Sequence, residues 1–310
     1  MRCSRCVEEA SIDRPYARDH LCEAHLRETV WDRARRELHR QAPRFHRGVV
    51  AVALSGGKDS AAALSIAHRY FGRRPTVRLV AVSVDEGIRG YRSATLSRAA
   101  ELCRRLGVEH RVWAARDELG TTTDEAVQAL PGTIPCSFCG VWRRGLLNKA
   151  ARSVSADLLV LGFNLDDLAQ TVLMNLARGE VDRLLRMSPH RHRQPGLVPR
   201  VAPLALVPER EVYAFARAQG LPFDHSECPH AHAAERNRFR EIVWELEEAR
   251  PGTRHALLRT RERIADLLER AGSPGAPDRC TQCGEPSATP LCRSCEYRRE
   301  AERALPGATA

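Results

Sequence analysis

The stretch Val49-Val50-Ala51-Val52-Ala53-Leu54-Ser55-Gly56-Gly57-Lys58-Asp59-Ser60 decides the fold. Val49 to Leu54 is apolar, with Gly48 before it and glycines after, and predicts a short buried strand. Ser60 to Tyr70 predicts a helix. Between them, Gly56 and Gly57 let backbone amides approach a polyphosphate with no Cβ in the way. The helix start adds oriented N–H groups and the positive end of a dipole. Lys58 adds charge, and Ser55 and Ser60 add hydroxyls. The motif is not a Walker loop, which needs a longer glycine spacing and a final Gly-Lys-Ser/Thr. A tight strand–helix turn without a ligand is the competing reading.

Outward from this loop, strand and helix alternate. Val77–Val84 predicts a second strand, Ser93–Leu106 a helix and Val108–Trp113 a third strand. Val141–Ser153 predicts a helix, Leu158–Gly162 a strand and Asp166–Leu176 a helix. Alternation from residue 48 to about residue 226 implies an α/β fold, a doubly wound parallel sheet with helices on both faces. Four parts are expected. Residues 1–27 form a cysteine/histidine module, and residues 28–271 form the catalytic domain, opening on a helix over 28–46 and largely helical after 233. A linker at 272–277 leads to a second cysteine module over 278–297, and 298–310 is a flexible tail.

The chain has 310 residues and a net charge of +10, which favours a polyanionic partner such as RNA over a neutral one. A soluble basic protein with no such partner is the plainer reading. Of 49 basic residues only Lys58 and Lys149 are lysine, so the one in the glycine loop stands out as a place where a compact ammonium is needed. The opening Met1-Arg2-Cys3-Ser4-Arg5-Cys6 has no apolar core, and no apolar run approaches the roughly 20 residues that cross a bilayer. A cytoplasmic protein with no membrane contact is expected. Its 11 cysteines are then reduced, and metal binding or catalysis is favoured over disulfides.

Seven of those cysteines fall in two closed sets. Cys3 and Cys6 form one tight knuckle, and Cys22 with His25 a second. Cys280 with Cys283 and Cys292 with Cys295 repeat the arrangement. Two knuckles supply the four ligands of a tetrahedral ion and leave no vacancy, so each set reads as structural zinc. Four cysteines remain. Cys103 lies on the apolar face of a helix and reads as packing. Cys136 and Cys139, in a loop before a helix, and Cys228, in a second loop, suit several chemistries. Three thiolates can hold a four-iron cluster with one iron open. A persulfide relay comes second, and a third zinc or a disulfide after it.

The hexapeptide Ser55–Ser60 resembles the pyrophosphate loop of the N-type ATP pyrophosphatases, the PP-loop superfamily with an adenine nucleotide alpha-hydrolase-like fold. That resemblance implies adenylation of a carbonyl oxygen with release of pyrophosphate. It also implies an ATP site formed by Ala53, Ser55, Gly56, Gly57, Lys58, Asp59, Ser60, Val84, Asp85, Arg143, Gly162 and Asp167. The stretches Pro135–Asn148 (PCSFCGVWRRGLLN) and Gly162–Gly179 (GFNLDDLAQTVLMNLARG), Glu227-Cys228-Pro229 and both terminal modules resemble the TtuA-type tRNA 2-thiolation enzymes over essentially the whole chain. In that family the positions of Cys136, Cys139 and Cys228 ligate a [4Fe-4S] cluster. The resemblance implies catalytic roles for these cysteines with Lys58, Asp59 and Asp167, and cofactors ATP, Mg²⁺, the cluster and two Zn²⁺. The implied partners are tRNA and a ubiquitin-like sulfur carrier with a C-terminal thiocarboxylate, with the enzyme a homodimer. The family's Gly-His-Asn opening of the second stretch reads Gly162-Phe163-Asn164 here, so the aromatic position carries no assigned role. Thiolation of 5-methyluridine at position 54 is the first expectation. The wobble uridine at 34, a non-thiolating ATP-dependent tRNA ligase and a zinc-module RNA-binding protein with an inactive loop are the alternatives.

Overall fold

The computed structural model describes residues 1–187, 189–190, 194–271 and 278–304. Its centre is a five-stranded parallel sheet of β1 (Gly48–Ala53), β2 (Val77–Asp85), β3 (Glu109–Ala114), β4 (Leu158–Val160) and β5 (Arg200–Val201). The spatial order is β3-β2-β1-β4-β5. Each strand is parallel to its neighbour, with Ala51 of β1 opposite Val80 of β2 and Leu159 of β4.

Among the described residues, nine helices of ten or more residues frame the sheet and its appendages. They are α1 (Glu23–Gln41), α2 (Lys58–Phe71), α3 (Arg92–Leu106), α4 (Pro135–Ser153), α5 (Leu165–Ala177), α6 (Glu209–Ala218), α7 (Arg236–Ala249), α8 (Thr253–Ala271) and α9 (Arg293–Ala304). The continuous apolar run of β1 is explained by burial on both faces, as parallel sheets require. Val50 and Val52 pack with α2 residues Ala61, Leu64 and Ile66 on one side. Ala51, Val80 and Leu159 pack with α4 residues Ala150 and Ala151 on the other. This is the doubly wound arrangement expected, and it opens a crevice at the carboxyl ends of the strands.

Several expected boundaries move. The first module does not end at residue 27, because His25 already lies on α1, whose first turn follows directly from Cys22. Cys136 and Cys139 are not in a loop: Pro135 occupies the first helical position, where its missing N–H costs nothing, and α4 runs from there to Ser153. Residues 298–304, expected as tail, continue α9, anchored by buried Tyr297 and Ala301. The expected linker 272–277 and residues 305–310 lie outside the described residues. The two-residue β5 has no counterpart in the sequence reading.

Candidate active site

Two close backbone approaches shape the glycine loop. Gly56 has φ +90°, and a Cβ there would lie 1.9 Å from the Thr95 carbonyl oxygen of α3. Across the site, a Cβ on Gly162 would come within 2.9 Å of the Asp59 carbonyl and the Ser60 amide. Both positions are therefore closed to any side chain. Gly57 caps α2 and leads into its free amides. Ser60 Oγ donates to the Gly57 carbonyl at 2.9 Å, closing the turn from inside.

Behind the loop stands Arg92, 4% exposed on the first turn of α3. Its guanidinium donates to the Ser55 carbonyl at 3.0 Å, to Thr95 Oγ1 at 2.9 Å and to the Val84 carbonyl. It also pairs with the buried Glu86 carboxylate at 2.7 Å. Arg92 thus ties the ends of β1 and β2 together. Glu86 reaches Arg143 of α4 with its other oxygen, at 3.8 Å. Neither Arg92 nor Glu86 was singled out from sequence.

The loop opens on a cavity of about 530 Å³ between the strand ends and α4. Of the residues expected to contact the nucleotide, Ala53, Ser55, Asp59, Ser60, Val84, Arg143, Gly162 and Asp167 line it. The other four expected nucleotide contacts, Gly56, Gly57, Lys58 and Asp85, do not. The Lys58 ammonium is held by Asp59 at 2.9 Å and Glu209 at 2.8 Å. Burial draws its pKa down, but those carboxylates outweigh it and raise it to about 12. Asp85 accepts from the Gly87 amide at 2.9 Å and so stabilises the turn after β2.

A carboxylate network occupies the near wall. Asn164 caps α5 by accepting from the Asp167 amide at 2.9 Å, while Asp167 accepts from the Asn164 amide at 3.3 Å. The Asn164 side-chain amide donates to Asp59 at 3.0 Å. Burial, and then Asp59 beside it, push the Asp167 carboxyl up to about 6. Burial likewise raises Asp59 against the pull of Lys58. Asp166 faces elsewhere: it accepts from the Glu209 amide at 2.7 Å and pairs with Arg254, a structural role.

The three unassigned cysteines converge beside this cavity. Cys136 and Cys139 sit one turn apart on α4, held by Phe138 between them. That ring is fully buried against Trp142 at 5.1 Å and Tyr297 at 6.0 Å. Cys228 arrives on a loop stitched to the glycine turn, since the Asp224 amide donates to the Gly56 carbonyl at 2.9 Å. Cys136 Sγ lies 3.8 Å from the His230 carbonyl, two residues beyond Cys228. Burial raises the Cys136 and Cys139 thiols, with Cys228 acting on both, and Arg143 draws both down.

The terminal sets are tighter. Within each, all four donor atoms lie within 4.8 Å of one another. Cys6 and Cys22 sulfurs are 3.7 Å apart and Cys283 and Cys292 3.6 Å apart. A 2.3 Å zinc–sulfur bond at the tetrahedral angle demands about 3.8 Å. The first module docks on α1 and α6 through Arg14, Tyr16 and Arg33 around buried Glu211. The second docks on α4, where Trp142 Nε1 donates to the Ser294 carbonyl at 3.2 Å. Among the described residues no helix is long and apolar enough to cross a membrane.

Residues 30–247 match the family model of the PP-loop domain. The chain is 36% identical to a tRNA 2-thiolation protein NcsA of Haloferax volcanii, over 95% of this chain and 97% of that one. It is 31% identical to the tRNA-5-methyluridine(54) 2-sulfurtransferase of Pyrococcus horikoshii, over 96% and 93%. Among solved structures it superposes on the U34-tRNA thiolase NcsA of Methanococcus maripaludis, solved with its [4Fe-4S] cluster. That match has a TM-score of 0.82 and 33% identity, covering 96% of each chain. The chain belongs to the PP-loop family of ATP-binding tRNA 2-thiolation enzymes.

Proposed function

We propose that this chain replaces the C2 oxygen of a tRNA uridine with sulfur at the expense of ATP. One observation carries the reading: the Asp224–Gly56 bond fastens the Cys228 loop to the nucleotide loop, so the thiols and the ATP site share one wall. A uracil C2 oxygen is a poor leaving group. Its attack on the α-phosphorus of ATP releases pyrophosphate and leaves AMP on the oxygen. A sulfur nucleophile then adds to C2, and the adduct collapses with departure of AMP. The amides of Gly57 and the first turn of α2 receive the phosphates, and Ala53 and Val84 flank the adenosine. Asp59 and Asp167 would hold Mg²⁺, which would offset the phosphate charge, and Asn164 holds both carboxylates in place.

Cys136, Cys139 and Cys228 suit a [4Fe-4S] cluster. They do not close to the spacing of the zinc sets, and a four-iron cube holds its thiolates further apart than one tetrahedral ion does. When bound, the cluster supplies Lewis-acidic iron for sulfur delivery. The two terminal sets take zinc. A ubiquitin-like carrier with a C-terminal thiocarboxylate, a homodimeric state and a cytoplasmic location complete the proposal.

The thiolated base is read as 5-methyluridine at position 54, supported by the Pyrococcus relative. The likeness to the Methanococcus U34 enzyme favours a second reading, uridine 34. Incubation with ATP, tRNA and sulfide, followed by mapping of the thiolated nucleoside, decides between them. Formation of AMP and pyrophosphate without any thionucleoside would overturn the sulfur reading. Cys228→Ala should abolish thiolation and iron binding while ATP binding persists.

A further inference from the structure

The cavity has a second end that the nucleotide does not explain. Arg144 of α4, Arg186, Arg200 at the start of β5 and Arg236 at the start of α7 all line it. They come from four separate elements, so the fold gathers them rather than a local charge run. Arg236 is fixed by donating to the Asp167 carbonyl at 3.0 Å and Thr171 Oγ1 at 3.0 Å. Among the described residues, no salt-bridge partner faces Arg144, Arg186 or Arg200, and the Arg200 Nε is buried without any hydrogen-bond partner. Burial and the neighbouring Arg143, Arg200 and Arg236 lower Arg144 to about 10. Gathering like charges in a half-buried place is unfavourable unless an anion joins them.

The position of this wall separates it from the triphosphate. Arg200 pairs in register with Leu159 of β4, which pairs with Ala51 of β1. It therefore lies two strand spacings, about 10 Å, from the strand that feeds the glycine loop. The adenosine side, at Ala53 and Val84, lies in the opposite direction along the sheet. The reaction needs both substrates in one cavity, because the base oxygen must reach the α-phosphorus. A base inside a folded RNA meets that need only by leaving its stack, and it then brings its own flanking phosphodiesters to the cavity.

We propose that Arg144, Arg186, Arg200 and Arg236 form the binding site for the RNA phosphodiesters that flank the target uridine. This rests on the thiolation reading above and assigns that reading's second substrate to a place. ATP enters on the β1–β2 side and the extruded nucleotide on the β4–β5 side. The two meet over Asp59 and Asp167.

The test is equilibrium binding of unmodified tRNA across a salt series, with Arg200→Gln and Arg144→Gln measured beside the wild type. Each substitution should weaken tRNA binding several-fold and reduce the slope of log K against log salt by about 0.7 to 1. Affinity for a non-hydrolysable ATP analogue should stay within about twofold. Loss of ATP affinity with tRNA binding unchanged would assign the wall to the nucleotide and overturn the proposal, and so would no change in either. Arg144 lies on a long helix, so its variant reports even where Arg200→Gln disturbs the short strand. The assay needs no turnover. A wild type that binds tRNA with this slope yet forms no thiouridine would refute the reaction and leave the wall standing.

Discussion

The side-chain amide of Asn164 donates to Asp59 at 3.0 Å, while its oxygen accepts from the amide of Asp167. One residue thus joins the nucleotide loop to the N-terminus of α5. It holds two carboxylates that would otherwise repel each other in a low-dielectric wall. Asn164→Ala should remove a helix cap worth about 1 kcal/mol, seen as a fall of about 2–4 °C in Tm. The loss of turnover should be much larger, on the order of 100-fold, because the carboxylates lose registry with the phosphates. A variant that loses stability but keeps its kcat would show the cap to be structural only.

Asp167 gives the pH dependence. Its carboxyl is raised from 3.8 to about 6, by burial first and Asp59 second. A raised pKa means the folded state favours the neutral acid. That contribution to stability is full below pH 4 and is lost as pH rises through about 6. Asp167→Asn should therefore leave Tm nearly unchanged at pH 4 and raise it at pH 8, while activity is lost at both. An unchanged Tm at pH 8 would show that Asp167 ionises without penalty.

The two glycines of the loop should respond differently. Gly56→Ala places a Cβ 1.9 Å from a backbone oxygen and forces a positive φ on alanine. Left-handed strain alone costs about 1–3 kcal/mol, and the clash adds to it. Gly57→Ala meets nothing nearer than Ser55 Oγ at 3.7 Å, at an ordinary negative φ. Thermal melts should show a large Tm loss for the first and little for the second. Equal losses would contradict the loop geometry.

Much of this site is legible in the sequence, and the illegible part has a physical pattern. The central strands show because each is an apolar run bounded by glycine or charge. The knuckles show because tetrahedral ligation fixes their spacing. Cys136 and Cys139 look like loop residues beside Pro135 and Gly140, yet proline at the first helical position starts a helix as readily as it ends one. Arg92 and Glu86 look like surface charges, because nothing local reveals that each is buried by the other. Lys58 is chemically distinctive in sequence, but its capture by Glu209, 151 residues away, is a tertiary fact. The arginine wall is likewise scattered over four elements and has no motif.

The C-terminal cysteine module should govern the thiol site from a distance. Its helix α9 places Tyr297 against Phe138, the residue that seats Cys136 and Cys139. It also supplies the Ser294 carbonyl that fixes the Trp142 indole. Cys283→Ser removes one of four donors and so loosens the tie between its own knuckle and Cys292 and Cys295, where α9 begins. Three effects should follow together: loss of one zinc per chain, a red shift in Trp142 emission and weaker iron retention. Trp142→Phe identifies the emission, since the chain has 4 tryptophans. ATP binding should persist, because the glycine turn is fixed by Arg92 of α3 and by the Asp224 amide rather than by α9. If zinc is lost while iron retention and emission are unchanged, the module serves another purpose, and the Phe138–Tyr297 contact does not hold the thiols in place.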